Sequence, residues 1–268
     1  MPYDDRPPLD ARVVTASAGA RWRVEVTAES PSTNADVAAR ARAGEPAGLV
    51  VATEHQTAGR GRLDRVWVTP PRAALTFSVL LAPAVPLARW PWLPLLTGLA
   101  VADAVTATTG LAAGLKWPND VLVGERKVAG ILVERVETPA GGAAVVGVGL
   151  NVTSTRDELP VDAATSLALA GATAPDRDAL LAAVLVALGE HVDAWTGGGG
   201  AGPLASYRAA CTTIGRRVRV DLPGGEVLSG LARDVDADGR LLVDDGSRVQ
   251  ALGAGDVVHV RPSGPPAA

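Results

Sequence analysis

The chain carries a single cysteine, Cys211, in 268 residues, which excludes an internal disulfide and any metal centre built on several thiolates. Cys211 reads most simply as a small buried apolar residue. Histidine is nearly as scarce, three in all and scattered, so a histidine-rich metal cluster is excluded and no metal ligand is assigned. Positive charge is not in excess: 25 Lys and Arg stand against 29 Asp and Glu, for a net charge of −4. A chain devoted to non-specific nucleic-acid binding would show a basic surplus, so cationic character, where it matters here, has to be local. The start, residues 1–8, is polar and proline-rich and lacks the apolar core of a secretory signal, which makes the cytoplasm the expected compartment. The most apolar stretch, 90–105, includes Pro91, Pro94 and Asp103; it reads as a buried helix too short to span a bilayer.

What the chain has is core-forming material. Apolar residues make up 47%, enough for one large domain and a small one. Alternating or β-branched runs at 22–27, 48–53 and 75–81 predict strands. Thr33 and Asp36, at capping-box spacing, predict a helix over 35–43 that stops at Gly44; a second runs over 92–108 to Gly110. The runs 115–123, 127–136 and 143–152, joined by short turns, predict an antiparallel meander. Helices are expected over 178–195 and 204–211, and from 214 short runs punctuated by Gly turns predict a compact barrel of about five strands. The fold class is therefore α+β, with a mixed, mostly antiparallel sheet. Its expected divisions are a loose arm at 1–20, a large domain at 21–211, a β domain at 212–262 and a disordered tail at 263–268.

The densest chemical signal is Glu54-His55-Gln56-Thr57-Ala58-Gly59-Arg60-Gly61-Arg62, directly after a strand-like run. Glycine lets the backbone approach a ligand closely, and arginine supplies a permanent charge and a fork of donors matched to phosphate or carboxylate. By itself the pattern is equally compatible with a solvated loop or a nucleic-acid contact. A second cluster is Lys116-Trp117-Pro118-Asn119-Asp120, followed by Lys127-Val128-Ala129-Gly130-Ile131-Leu132. Lys127 has no carboxylate in the residues that follow it, so it either snorkels to water or meets an anion. Lys116 has Asp120 nearby as a candidate partner. Asn119 and Asp120 suit a turn, where such side chains bond nearby backbone. Trp67 and Trp117 are either core or platforms for a planar ligand. Gly147-Val148-Gly149, ahead of Asn151, marks a bulge or a close approach to the backbone.

Taken in order, Ser32-Thr33-Asn34, the arginine loop with Trp67, Lys116 to Asp120, Lys127 to Glu134 and Gly147 to Val152 closely resemble the biotin protein ligases. The resemblance covers about residues 22–262 and extends to the C-terminal β module. It implies a catalytic domain like that of class II aminoacyl-tRNA synthetases and a small SH3-like barrel. Family members that double as repressors carry an N-terminal winged helix-turn-helix. Only about 20 residues precede the first strand here, so a short form without DNA binding is expected.

The resemblance implies two steps: biotin and ATP give biotinyl-5′-adenylate and pyrophosphate, then a lysine of a biotin carboxyl carrier domain of acetyl-CoA or acyl-CoA carboxylase takes the biotinyl group. It places Arg60, Arg62 and Lys127 at the reacting anions, with Mg²⁺ expected on the triphosphate and Asp120 positioning or deprotonating the carrier lysine. Ser32, Thr33, Asn34, Gln56, Arg60, Gly61, Arg62, Lys127, Gly130, Leu132, Gly147 and Gly149 would bind biotin or the acyl phosphate. Arg62, Trp67, Lys116, Asn119, Lys127 and Asn151 would face the nucleotide. The arginine loop is expected to be mobile until the adenylate arrives. The rival readings are a lipoate or octanoate ligase or transferase, and a non-catalytic carrier- or nucleic-acid-binding module. No membrane partner is expected; the state is monomer or homodimer, with open edges expected on the strands after Lys127 and before Asn151.

Overall fold

The computed structural model describes residues 6–62, 65–197 and 201–260, so the expected tail at 263–268 lies outside the described residues. The larger unit runs α1 (Ala11–Ala18), β1 (Arg23–Thr27), α2 (Thr33–Arg42), β2 (Leu49–Thr53), β3 (Gly59–Arg60), β4 (Val66–Trp67) and β5 (Ala74–Leu81). It continues with α3 (Trp92–Thr109), β6 (Ala113–Lys116), β7 (Asp120–Val123), β8 (Arg126–Thr138), β9 (Gly141–Asn151), α4 (Arg177–Thr196) and α5 (Ala201–Ala210). Seven of the strands form one sheet in the order β1-β2-β5-β9-β8-β7-β6; β1 and β2 are parallel and every other pair is antiparallel. The expected meander is present as β6 to β9.

Each strand sends alternate residues to opposite faces, and the two faces are covered unequally. One packs Val50, Ala52, Phe77, Val79, Val146 and Val148 against α1, α3 and α4 in the main core. The other packs Leu49, Val51, Leu80, Val136 and Val145 against Val37 and Ala41 of α2. Because α2 is only 10 residues long, it covers one end of that second face. The remainder forms the floor of a cavity.

Residues 1–20 were expected to be loose, and among the described residues this is corrected. Asp10 caps α1 by accepting from Arg12 N, and Leu9, Val14 and Ala18 are buried. The Glu54 carboxylate accepts from Leu9 N at 2.6 Å, and Arg177 donates to Pro7 O at 2.6 Å. An eight-residue helix is marginal alone, so this one depends on tertiary burial that its polar sequence does not announce. The cap of α2 also differs from expectation: Ser32 is the N-cap and Thr33 already lies inside the helix. Asp36 bonds back to Ser30 Oγ at 2.5 Å.

Helices α3 and α4 are long and apolar enough to cross a membrane, which corrects the expectation that the first was too short, since α3 runs on to Thr109. Both lie more than half inside the protein, 67% and 56% of their most apolar stretches being buried. Of the two strands expected to leave an open edge, β9 is paired on both sides, by β5 and β8. β8 pairs with β7 only as far as Gly130, and beyond it with β9 alone.

The C-terminal unit is a five-stranded antiparallel sheet of β10 (Arg217–Asp221), β11 (Val227–Val235), β12 (Leu241–Asp244), β13 (Val249–Leu252) and β14 (Asp256–His259), in the order β13-β12-β11-β10-β14. Two indoles bind it to the larger unit: Trp92 Nε1 donates to Ala237 O at 2.8 Å and Trp117 Nε1 to Gly239 O at 3.0 Å. Trp117, 2% exposed, is therefore core rather than a ligand platform. Cys211 is buried and unpaired, and burial raises its thiol pKa.

Candidate functional site

Strand register explains which residues share the cavity floor. Thr76, Ser78 and Leu80 of β5 stand opposite Gly149, Gly147 and Val145 of β9, and these stand opposite Gly130, Leu132 and Glu134 of β8. Gly130 in turn faces Asp120 of β7, which faces Lys116 of β6. Residues opposite one another in a ladder project to the same side, so this set forms one surface continuous with the residues under α2.

Lys127 belongs there only because the ladder is irregular. Leu122 pairs with Lys127 and Val121 with Ala129, leaving Val128 as an extra residue. Both Val128 and Ala129 turn into the main core, and Lys127 is returned to the cavity side. There its Nζ meets Asp120 Oδ1 at 2.6 Å and lies 5.8 Å from the centre of the Trp67 ring.

The glycines leave room for side chains from other elements. A Cβ on Gly147 would overlap Asn34 Oδ1, and one on Gly149 would overlap the Trp67 indole. Asn34 enters from the first turn of α2, at the positive end of the helix dipole, which favours oxygen ligands. Trp67 enters from β4, and its Nε1 is buried without a hydrogen-bond partner. An orphaned buried donor is costly, and a ligand oxygen would relieve it.

The cavity measures about 1530 Å³, more than a drug-sized ligand needs and enough for a nucleotide beside a second small molecule. All predicted site residues line it: Ser32, Thr33, Asn34, Gln56, Arg60, Gly61, Arg62, Trp67, Lys116, Asn119, Asp120, Lys127, Gly130, Leu132, Gly147, Gly149 and Asn151. β3 and β4 pair as a short ribbon that brings Arg60 and Arg62 over the floor. Arg62 donates to Asn119 Oδ1 at 3.0 Å and to Gly255 O at 3.4 Å, and burial lowers its pKa while Asp120 and Asp256 oppose that shift. Arg65 pairs with Asp256 of β14. Asn119 bonds across to β8, donating to Ile131 O at 2.8 Å, rather than within its own turn. Asn151 Nδ2 donates to Thr165 O at 3.0 Å. Asp120 pairs with Lys127, and Lys116 has no ion pair among the described residues.

Sequence reasoning missed five contributors. Ser78 is fully buried and donates to Asn34 Oδ1 at 2.6 Å; a serine two residues after Thr76 in a mostly apolar strand was a readable signal. Glu134 accepts from Asn34 and from Arg60. His259, Arg216 and Asp256 close the far side from the C-terminal sheet, and no local pattern links them to the site.

Residues 25–151 match the model of the biotin/lipoate A/B protein ligase family, and 213–260 match that of the biotin protein ligase C terminal domain. A biotin--[acetyl-CoA-carboxylase] ligase of Mycobacterium tuberculosis is 47% identical, over 96% of this chain and 97% of its own length. The bifunctional ligase/repressor BirA of Bacillus subtilis is 29% identical, and the alignment spans 79% of this chain and 66% of the relative. Among solved structures, the biotin protein ligase of Aquifex aeolicus in complex with biotin and ATP superposes with a TM-score of 0.75 at 26% identity, over 89% of this chain and 99% of that one. The chain belongs to the biotin protein ligase family.

Proposed function

We propose that this protein joins biotin to a carrier protein at the expense of ATP, in two steps within the one cavity. In the first, a biotin carboxylate oxygen bonds to the α-phosphorus and the bond to pyrophosphate breaks. In the second, a neutral carrier lysine bonds to the acyl carbon, AMP leaves with the bonding electron pair, and the lysine nitrogen loses a proton. The observation that carries this reading is the sharing of one cavity by a polar, glycine-floored pocket at the head of α2 and the cations Arg60, Arg62 and Lys127.

Biotin offers a ureido edge and otherwise mostly apolar surface. Ser32, Thr33, Asn34 and Gln56 supply donors and acceptors for that edge, and Gly130, Leu132, Gly147 and Gly149 give the rings room. Arg60, Gly61, Arg62 and Lys127 hold the carboxylate against the phosphate while charge builds on the phosphoryl oxygens. Trp67, Lys116, Asn119 and Asn151 face the nucleotide. The 2.6 Å contact between Asp120 and Lys127 favours a role for Asp120 in holding Lys127, ahead of deprotonating the carrier lysine. Closing the arginine loop over the adenylate shields a mixed anhydride from water.

No cluster of three or more metal-ligating side chains exists among the described residues. That fits Mg²⁺ arriving on the triphosphate, since it keeps several waters and takes one or two carboxylates at most. When bound it would neutralise charge on the departing pyrophosphate, and Asp120 is the carboxylate closest in kind to that task.

The larger unit resembles the class II aminoacyl-tRNA synthetase core, and the five-stranded sheet an SH3-like barrel. The acceptor is a biotin carboxyl carrier domain of acetyl-CoA or acyl-CoA carboxylase. The half of β8 paired on one side only suits pairing with a second copy, so the choice between monomer and homodimer turns on that edge. The decisive assay incubates the protein with a purified carrier domain, biotin and ATP, omitting each in turn and substituting lipoate or octanoate for biotin. Pyrophosphate release that needs biotin, and carrier labelling that needs all three, are expected. Labelling by lipoate in preference to biotin would overturn the reading.

A further inference from the structure

A chain of hydrogen bonds runs from the deepest polar group of the cavity floor to its rim. Thr33 N–H donates to Gln56 Oε1 at 3.0 Å, and Thr33 Oγ1 lies 2.7 Å from Ser78 Oγ. Ser78 donates its only hydroxyl proton to Asn34 Oδ1 at 2.6 Å, so a proton between the two hydroxyls has to come from Thr33, whose Oγ1 has Gln56 Oε1 as a second, longer acceptor at 3.4 Å. Asn34 Nδ2 then donates to Glu134 Oε2 at 2.6 Å, and Arg60 Nη2 donates to Glu134 Oε1 at 3.2 Å. Asn34 Nδ2 also donates to Leu132 O at 3.4 Å, and every other link on the Asn34 side points its proton toward Glu134.

Of the two acceptors that set this polarity, the Glu134 carboxylate makes the shorter bond, 2.6 Å against 3.4 Å for Leu132 O. An ionised carboxylate only accepts, so it fixes which end of the Asn34 amide faces it and thereby which end faces Ser78. Thr33, Asn34 and Ser78 are at most 5% exposed, so the order cannot be set by water. Gly147 makes the arrangement possible, because any Cβ there would occupy the place of Asn34 Oδ1. Arg60, by contrast, is 57% exposed and sits on a two-residue strand, and Glu134 is its only ion-pair partner among the described residues.

We infer that Glu134 is a positioning residue that sets the donor and acceptor order of the biotin pocket and ties that pocket to Arg60. Biotin that engages the ordered floor then steadies Arg60 over the carboxylate before ATP binds. The inference rests on the biotin-ligase reading, and the wild-type protein tests that reading first: if it binds no biotin by calorimetry, that reading fails and Glu134 has not been addressed.

The experiment measures biotin affinity without ATP, and the trypsin cleavage rate after Arg60 and Arg62 with and without biotin, in wild type, Glu134→Gln, Glu134→Asp, Arg60→Ala and the Arg60→Ala/Glu134→Gln double variant. Glu134→Gln keeps the shape but offers Asn34 either an acceptor or a donor. A loss of about ten-fold in biotin affinity is expected, with Glu134→Asp recovering most of it. The same substitution on the Arg60→Ala background is expected to cost about two- to three-fold, because part of its effect passes through Arg60. At biotin saturation, protection from trypsin is expected in wild type and lost in Glu134→Gln. Equal fold-losses in both backgrounds, or undiminished protection in a folded Glu134→Gln protein, would overturn the assignment. If Glu134→Gln does not fold, the same two readings on Glu134→Ala, alone and on the Arg60→Ala background, decide it.

Discussion

The two faces of the seven-stranded sheet are made by the same strands and are built on opposite principles. On the face under α3 and α4, neighbouring strands meet through Phe77, Val79, Val146 and Val148, which pack into the main apolar core. On the other face the same strands present Thr76, Ser78, Gly147, Gly149 and Gly130, and space is left open or lent to Asn34 and Trp67. Away from the bulge at Val128 side chains alternate along each strand, so a substitution there acts mainly on one face. Stability and chemistry should therefore be separable residue by residue, with the first face carrying folding energy and the second carrying ligand binding.

Phe77→Ala is the largest test on the stability side. Phe77 is fully buried in the main core, and its truncation should cost about 3–5 kcal/mol of unfolding free energy in urea titrations. Biotin affinity per folded molecule should hold within about two-fold; a ten-fold fall would show that the faces are coupled. The counterpart on the cavity side is Lys127→Ala. Losing a cation from the phosphoryl transition state should lower biotin-dependent pyrophosphate release by about 10²–10³. The melting temperature should stay close to wild type, since Lys127 is one-third exposed and its one ion pair among the described residues is with Asp120.

Much of this division was legible in the sequence. The order of strands and helices follows from periodicity and glycine stops, and every one of the predicted site residues lines one cavity. Lys127 shows where pattern reading ends. Simple alternation from Ala129 and Ile131 would put Lys127 on the core side; the bulge at Val128 reverses it, and a bulge is decided by the pairing of β8 with β7. The partner of Lys127 was invisible for the same reason, since Asp120 reaches it across that pairing. The N-terminal arm failed differently. Its helix is held by Glu54 and Arg177, which lie 45 and 170 residues from their contacts at Leu9 and Pro7, and no local pattern encodes such a clamp.

A smaller effect tests the open space itself. Gly147→Ala adds one carbon where Asn34 Oδ1 sits, so either Asn34 or the strand must move. A cost of about 1–3 kcal/mol is expected, appearing in biotin affinity as a ten- to hundred-fold loss more than in stability. The mirror substitution on the same strand, Val148→Ala in the packed core, should do the reverse. If both variants lose stability and keep affinity, the cavity floor is ordinary core.

The smallest predicted effect asks which principle governs the wall supplied by the C-terminal sheet. Burial, with Lys116 and Arg216 nearby, pushes the pKa of His259 down to about 4 from an ordinary 6.5, so the folded protein favours neutral imidazole. The local bonding agrees. Trp117 N–H donates to Thr213 Oγ1 at 3.2 Å, which leaves the Thr213 hydroxyl proton for His259 Nε2 at 3.0 Å. The unfolded chain takes up a proton as pH falls through 6.5, whereas the folded chain does so only near 4. The contribution of His259 to stability is thus complete above 6.5, declines between 6.5 and 4, and is lost below. At a half-buried position the loss should be on the order of 1–2 kcal/mol. Melting temperature against pH should flatten in that window for His259→Asn relative to wild type. Curves of equal slope would mean that this wall, unlike the core face, is wet enough for imidazole to titrate as it does in water.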